Sequence, residues 1–597
     1  MSGSRKRLLH VANTLGLACV AATCFLVACG DTDDSSGDTP KGGAGGSSGK
    51  AGSGGGGKAG APPSDGGSSA SAGEAGDGNV AGEGGEGGEA GSETGGTGGS
   101  TAGTGGSTGG TGGSIGGTGG TGGSGGSGGA PVVLVQNCLR DLTSGRKIEI
   151  STAGNDGLFA AAYGPDGLLY AAGYTQPGVG ALEDRSTVVV RFTAAGALDP
   201  SWGVNGVVTV NVKATDPGLA GLGELPRGLA FQGTSIIVAG TVETYTSVQN
   251  PTLLNSDRDV YVLRLTAAGA LDTTFGDNAS GIHILPLNTG VANAAGTGIT
   301  GADAQWGLNV LPDNTLIVTA ATRASGLQPA PSTDPRTDTD FAVVKLTANG
   351  AQDTTFGLVG GTPGVFTFDI AQANASVRTA SVLPDGKLIV TGYSTYNGSQ
   401  RPVIFKLNAN GQSLDTSFGF QGVFSDTVGV AAEAYGALLQ TGGKLVTVGY
   451  GRATANNTTS DILSIRLTSN GLLDSTYGAT TGTGATPGRA WFDVGGLGDN
   501  GRAIVLSDDR PVLLGGGSLS TGQQDAVITL LSLNGTPVTT FGSPYGCTAY
   551  DFGSVGDFFW SGAVNPTDGK IAAVGLTGHA SGSTDDTDGI LVLINKP

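Results

Sequence analysis

The segment DVYVLRLTAAGALDTTFG, Asp259 to Gly276, returns as DFAVVKLTANGAQDTTFG from Asp340 to Gly357 and as DILSIRLTSNGLLDSTYG from Asp461 to Gly478. A repeated unit of this kind cannot bury its apolar face alone. It does so by stacking on its neighbours, which restricts the chain to a closed ring or an open solenoid. Weaker copies begin near Thr187 and at Pro402, Asp525 and Asp588, making seven. The turn glycines Gly196, Gly269, Gly350, Gly411, Gly471 and Gly535 stand 60 to 81 residues apart.

A second piece alternates with the first. It reads SVLPDGKLIVTGY from Ser381 to Tyr393, with relatives such as AAYGPDGLLYAAGY at Ala161–Tyr174 and ALLQTGGKLVTVGY at Ala437–Tyr450. Pro-Asp-Gly between two apolar runs is a tight β-turn, and short runs rich in Val, Ile and Leu suit strands buried on both faces. Each unit therefore reads as an inner strand, the Pro-Asp-Gly turn, a second strand, a variable loop, a third strand, the Thr-Ala-Asn-Gly turn and a fourth strand. Four antiparallel strands in about 60 residues, repeated around a ring, make a propeller blade. Solenoid repeats are usually much shorter. The expected fold is all-β: a seven-bladed β-propeller of four-stranded antiparallel blades, occupying 131–597 and preceded by a disordered Gly-rich tether.

These residues resemble the delta-60 repeat family, a bacterial relative of the NHL and Kelch-type propellers. Its pattern joins an Arg-Leu strand end and a Gly-x-Leu-Asp-x-x-Phe-Gly turn to a Pro-Asp-Gly-Lys hairpin. The resemblance covers roughly 146–597. It weakens in the sixth unit, where Leu530 replaces the strand-end base and Pro537-Val538 replaces Leu-Asp.

The repeats leave the N-terminal part unexplained. Arg5-Lys6-Arg7 precedes a mostly apolar stretch, Leu8 to Val27, followed by Ala28-Cys29-Gly30. This resembles the bacterial lipoprotein signal, with 1–28 removed and Cys29 lipidated; an ordinary cleaved signal peptide is the alternative. The resemblance implies a lipid-anchored protein of the cell envelope, and Asp31, two places after the cysteine, fits delivery to the outer membrane or cell surface. Residues 29–130 are Gly/Ser/Thr-rich and cannot bury enough apolar surface to offset the entropy of ordering. Such a coil spans roughly 50–60 Å and would hold the body off the membrane. With 49 acids against 30 bases and a net charge of −19, the chain offers no nucleic-acid patch. A monomer is expected.

The phase of the repeats predicts how the ring closes. The last unit has three strands and then the chain ends, so a strand over Lys147–Ile150 is expected to supply the fourth. Cys138 lies just before it and Cys547 just before the fourth strand of the sixth blade. A Cys138–Cys547 disulfide is expected to join neighbouring blades across the closure.

Residues that recur once per blade read as structural: Asp199, Asp272, Asp353, Asp415 and Asp474; the strand bases Arg191, Arg264, Lys345, Lys406 and Arg466; the aromatics Trp202, Phe275, Phe356, Phe418, Tyr477 and Phe541. The loops after the second and fourth strands share one face, and the long insertions 242–258, 287–303 and 323–339 belong to it. Variable loops on a rigid scaffold are where binding concentrates. Two acidic loops there, Asp334, Asp338 and Asp340, and Asp585, Asp586 and Asp588, are candidate calcium ligands, although neither has EF-hand spacing and a solvated acidic loop is the plainer reading. Tyr245, Trp306 and His579 are candidate ligand contacts, with Trp306 more readily read as core. No H-E-x-x-H, C-x-x-C or G-x-S-x-G motif is present, and no cofactor is called for. The function expected is a non-catalytic binding module for extracellular polysaccharide or a protein partner at the variable-loop face. The alternative is an envelope-anchored hydrolase or lyase using carboxylates on that face.

Overall fold

Each repeat becomes one sheet. The computed structural model describes residues 133–135, 137–178, 185–212, 223–245, 256–288, 291–292, 299–300, 303–328, 331, 335–395, 398–478, 486–578 and 586–597. Among them, seven sheets of four or five strands form the blades of a β-propeller. Their inner strands are Asp156–Tyr163, Glu224–Gln232, Ala304–Val310, Ala375–Val382, Ala431–Leu439, Asp499–Ser507 and Phe558–Val564, blades 1 to 7 in order. Blade 4 shows the common plan. Leu388–Ser394 pairs antiparallel with the inner strand, Arg401–Leu407 follows, and Val423–Ser425 forms the outer edge.

The core is divided by blade interface. One cluster joins Phe341 and Val343 of blade 3 to Val377, Val390 and Phe405 of blade 4. Another joins Val574 and Leu591 of blade 7 to Leu158, Leu169 and Val190 of blade 1. Middle strands are therefore buried on both faces, which is why they read as continuous apolar runs rather than as alternating ones.

The recurring residues make the joints between blades. Asp272 accepts hydrogen bonds from Thr274 N and Oγ1 through one oxygen and pairs with Arg264 through the other at 2.9 Å. The same arrangement recurs at Asp199, Asp353, Asp415 and Asp474, each with its strand base. Phe275 is buried and lies against Gly350 in the turn of the next blade, where φ is +89° and a Cβ would collide with the ring. Phe356 meets Gly411 and Tyr477 meets Gly535 in the same way.

The ring closes through the N-terminal segment, by a longer route than expected. Gly145–Ile148 pairs antiparallel with Gly589–Ile594 and completes blade 7. This strand lies two residues earlier than Lys147–Ile150, because Ile150 N and Ser151 N turn away to donate to the Asp156 carboxylate. Two further strands precede it. Val133–Val135 lies parallel to the outer strand of blade 5, and Leu139–Asp141 lies parallel to that of blade 6. The Cys138–Cys547 disulfide is present, with Cα atoms 5.2 Å apart. Its placement corrects the expectation. Cys138 precedes Leu139 and Cys547 precedes that residue's register partner, Thr548, so the bond fixes the added strand to blade 6 instead of crossing from blade 6 to blade 7.

A candidate ligand site in the central channel

All seven inner strands carry a register shift near their middle, at the third to fifth residue. The extra residues are Phe159, Arg227, Trp306, Arg378, Tyr435, Arg502 and Trp560. A bulge places two residues opposite one and re-aims a side chain. In six blades the neighbouring strand carries a glycine beside the bulge, and in blade 3 it carries Ala320. A Cβ at Gly392 would run into the Ser376 carbonyl, and Gly173, Gly449, Gly515 and Gly575 meet inner-strand carbonyls in the same way. The glycine of the repeated Val-Thr-Gly-Tyr strand thus lets the inner-strand carbonyl approach closely in these five blades, while blade 3 carries its bulge opposite Ala320.

The bulged side chains form a girdle of alternating guanidinium and aromatic groups. The Arg227 guanidinium lies 4.0 Å from the Trp306 ring centroid, and that of Arg378 lies 3.9 Å from Trp306 and 4.1 Å from Tyr435. Arg502 is 4.2 Å from Tyr435 and 4.7 Å from Trp560, and Arg227 closes the circuit at 6.0 Å from Trp560. Phe159 packs behind, 5.1 Å from Trp560. Each close cation–π contact contributes about 0.5–2 kcal/mol. The buried Arg378 is also held by Glu433 of the next blade, 3.1 Å away. The girdle borders a cavity of about 200 Å³ whose other lining residues include Thr379, Gly436, Ala437, Ala503, Ile504 and Ser561. These follow the bulges along inner strands that run from the variable-loop face to the Pro-Asp-Gly face. The cavity therefore lies on the turn side of the girdle. Three arginines and no carboxylate line it among the described residues. Tyr435 lines this cavity, and its hydroxyl is buried without a hydrogen-bond partner among the described residues.

The carboxylates are engaged elsewhere, in clasps between blades. Asp156, Asp303, Asp499 and Asp557 stand at or just before the start of an inner strand. Each accepts backbone N–H groups from the chain leaving the preceding blade: Leu287 and Asn288 for Asp303, Val494 for Asp499, Phe552 for Asp557. Burial outweighs these bonds and pushes Asp156 and Asp557 up to about 6, and Asp303 and Asp499 up to about 8.

The residues singled out from sequence are dispersed. Trp306 sits in the girdle between Arg227 and Arg378. Asp338 and Asp340 gather with Asp369, but Arg336 bonds to Asp338, lies 2.8 Å from Asp369 and 3.5 Å from Asp340. Asp588 pairs with Lys147 at 3.6 Å, and Asp586 precedes it in the loop. Two further acid groups were not singled out: Asp525, Asp551 and Asp557, where Arg140 is 2.8 Å from Asp525, and Asp461, Asp493 and Asp499. Cys29, Asp334, His579 and Asp585 lie outside the described residues, as does the side chain of Tyr245. The girdle, apart from Trp306, escaped sequence reasoning. Its signal was there: Phe159, Trp306 and Arg378 each stand seven residues before the aspartate of a hairpin turn, Asp166, Asp313 and Asp385.

Residues 235–275, 333–356 and 383–418 match a β-propeller family described as a domain of unknown function, DUF5122. No curated protein matches the chain in sequence. Among solved structures, a PL25 ulvan lyase bound to -[GlcA(1-4)Rha3S]- is 10% identical, with 77% of this chain and 95% of that one covered and a TM-score of 0.34. Sqt1 of Chaetomium thermophilum is 11% identical over 75% and 97%, with a TM-score of 0.33. The Trypanosoma rangeli sialidase in complex with sialic acid is 10% identical over 76% and 59%, with a TM-score of 0.34. Likeness this distant assigns no activity. The seven closed blades and the repeat match together make this chain a β-propeller protein.

Proposed function

We propose that the protein is a cell-envelope lipoprotein, anchored through Cys29 and a tether over 29–130, whose delta-60-like propeller binds extracellular polysaccharide without catalysis. The observation that supports the binding role is the channel cavity, lined among the described residues by arginine, tyrosine and tryptophan and no carboxylate. Concave sites that join apolar walls to a few convergent donors are binding sites. Four of the elevated carboxylates, Asp156, Asp303, Asp499 and Asp557, are committed to backbone N–H groups between blades. A glycan array probed with the purified full chain in detergent tests the reading. Selective retention on a subset of glycans, lost on denaturation, is expected. Retention on none, or release of shortened oligosaccharides from a bound glycan, would overturn it.

A further inference from the structure

Exposed apolar side chains crowd one side of the ring. Among the described residues eleven large hydrophobic side chains are exposed, and nine of them lie on the turn-face rim of blades 3 to 6 or on the N-terminal segment laid along blades 5 and 6. The rim carries Leu358 and Val359 in blade 3, Phe420 in blade 4, Leu472 in blade 5, and Leu533 and Tyr545 in blade 6; the segment adds Leu134, Leu139 and Leu142. Val359 is 86% and Phe420 80% exposed. The rim residues stand between the third and fourth strands of their blades, a place in the repeat that the ring sets at one level along its axis. Backbone bonds from Gly357 N to Asn410 O, Gly419 N to Asn470 O and Gly478 N to Asn534 O join each turn to that of the next blade, so the tips stand on a rigid arc. An apolar arc of this kind marks an interaction surface. Two observations point to lipid as its occupant. The described chain begins at Val133, packed with Phe424 of blade 4 and Trp491 of blade 5, so the segment read as a tether joins the body inside the same arc. The carboxylates at the rim are also already neutralised: Asp353, Asp415 and Asp474 pair with Lys345, Lys406 and Arg466 at 3.2, 3.3 and 2.9 Å. The variable-loop face, by contrast, gathers the carboxylates of Asp461, Asp493 and Asp499 within 4.8 Å of one another. We propose that this edge of the propeller is a membrane-docking surface, laid on the bilayer that carries the Cys29 anchor, with the turn tips in the boundary between headgroups and acyl chains. The proposal rests on the lipoprotein reading and adds the orientation of the propeller on the membrane. A tether spanning roughly 50–60 Å keeps the body concentrated near the surface, so a weak contact suffices. Because the arc is confined to one side of the ring, the channel cavity stays clear of the lipid.

The test uses the full chain, extracted from membranes and reconstituted on vesicles of phosphatidylethanolamine and phosphatidylglycerol that contain doxyl-labelled lipid. A fluorophore is attached at Ser469→Cys, in a rim turn of blade 5, or at Ser325→Cys, exposed on the variable-loop face of blade 3. Cys138 and Cys547 are bonded to each other, which leaves the new thiol for the label. Quenching by the doxyl groups at least about fivefold greater at Ser469→Cys than at Ser325→Cys is expected. Val359→Ser combined with Phe420→Ser should cut that quenching to about a third or less, and should leave the melting temperature unchanged because both side chains are exposed. Equal quenching at the two positions, quenching at neither in protein that floats with the vesicles, or quenching that survives the double substitution would overturn the docking surface and leave the anchor. A dimer that Phe420→Ser dissociates would in that case give the arc to a second copy of the chain. Quenching at Ser469→Cys in a chain whose Cys29 bears no acyl group by mass spectrometry would overturn the anchor and leave the docking surface. Protein that does not float with the vesicles at all would overturn both.

Discussion

At the scale of single residues, the same side chain does opposite things according to where the fold puts it. Asp415 lies in an open turn, where hydrogen bonds from Lys387 and then Ser417 hold its carboxyl well below the usual range. Asp303 is shut between two blades, where burial pushes it up to about 8 against its hydrogen bonds. The two groups set opposite pH limits. A lowered carboxylate contributes stability above its unfolded value, near 4, and loses it as pH falls further. A raised one binds a proton in the folded state that the unfolded chain has released. Its contribution is full below pH 4 and is lost as pH rises through the folded value. With Asp156 and Asp557 near 6, Asp340 and Asp461 near 7, and Asp303 and Asp499 near 8, the loss runs from pH 4 to pH 8. The melting temperature of the full chain should therefore fall continuously from pH 5 to pH 8 by calorimetry at fixed ionic strength. A flat profile over that interval would mean that the backbone N–H donors keep these carboxylates ionised.

At the scale of the element, the unit of design is the hairpin of inner and second strand, with a bulge on one and a glycine on the other. The glycine at 392 is needed for lack of space, since a methyl group there meets the Ser376 carbonyl. That at Gly386, in the turn, is needed for its φ of +78°, with Ala409 the nearest neighbour at 3.4 Å. Alanine separates the two demands. Gly386→Ala should cost about 1 kcal/mol from the left-handed backbone alone. Gly392→Ala should cost about 2–3 kcal/mol by overpacking and shift the bulge that carries Arg378. Denaturant midpoints compare them, and equal costs would deny the bulge its steric explanation. The hairpins themselves were legible in the sequence, because turn chemistry and apolar runs repeat with a regular period. The bulged residue was not. It stands just upstream of the repeated string, and its identity changes from blade to blade between arginine and aromatic. Read singly, Arg227, Tyr435 or Trp560 is an ordinary strand residue. Only the ring, which superposes positions hundreds of residues apart, shows that they alternate. The acid clasps were hidden for another reason: Asp499 and Val494 are close in sequence, but no local pattern marks the blade boundary between them.

At the scale of the whole molecule, a propeller must solve closure, since a ring left open would expose the faces of its first and last blades. The strand count in the last repeat made the closing partner legible. The two parallel additions were not, because Val133–Val135 and Leu139–Asp141 are three-residue strands outside any repeat. Together the N-terminal segment runs along blades 5, 6 and 7, and only its last strand closes the ring. That closing strand is four residues long, and on its own it would fray readily. The disulfide just upstream keeps it close. It joins positions 409 residues apart in sequence, so reducing it frees most of the propeller as one loop. Loss of the bond, in a Cys138→Ala, Cys547→Ala double variant of the full chain, should cost about 2–5 kcal/mol. The cost should also be local at first. Amide exchange should accelerate in Leu139–Asp141 and Gly145–Ile148 and in their partners Cys547–Tyr550 and Gly589–Ile594, while blades 2 to 4 keep their protection. Uniform acceleration in every blade would show that opening at the N-terminal strands already unfolds the ring. Unchanged exchange would show that backbone pairing alone holds the closure.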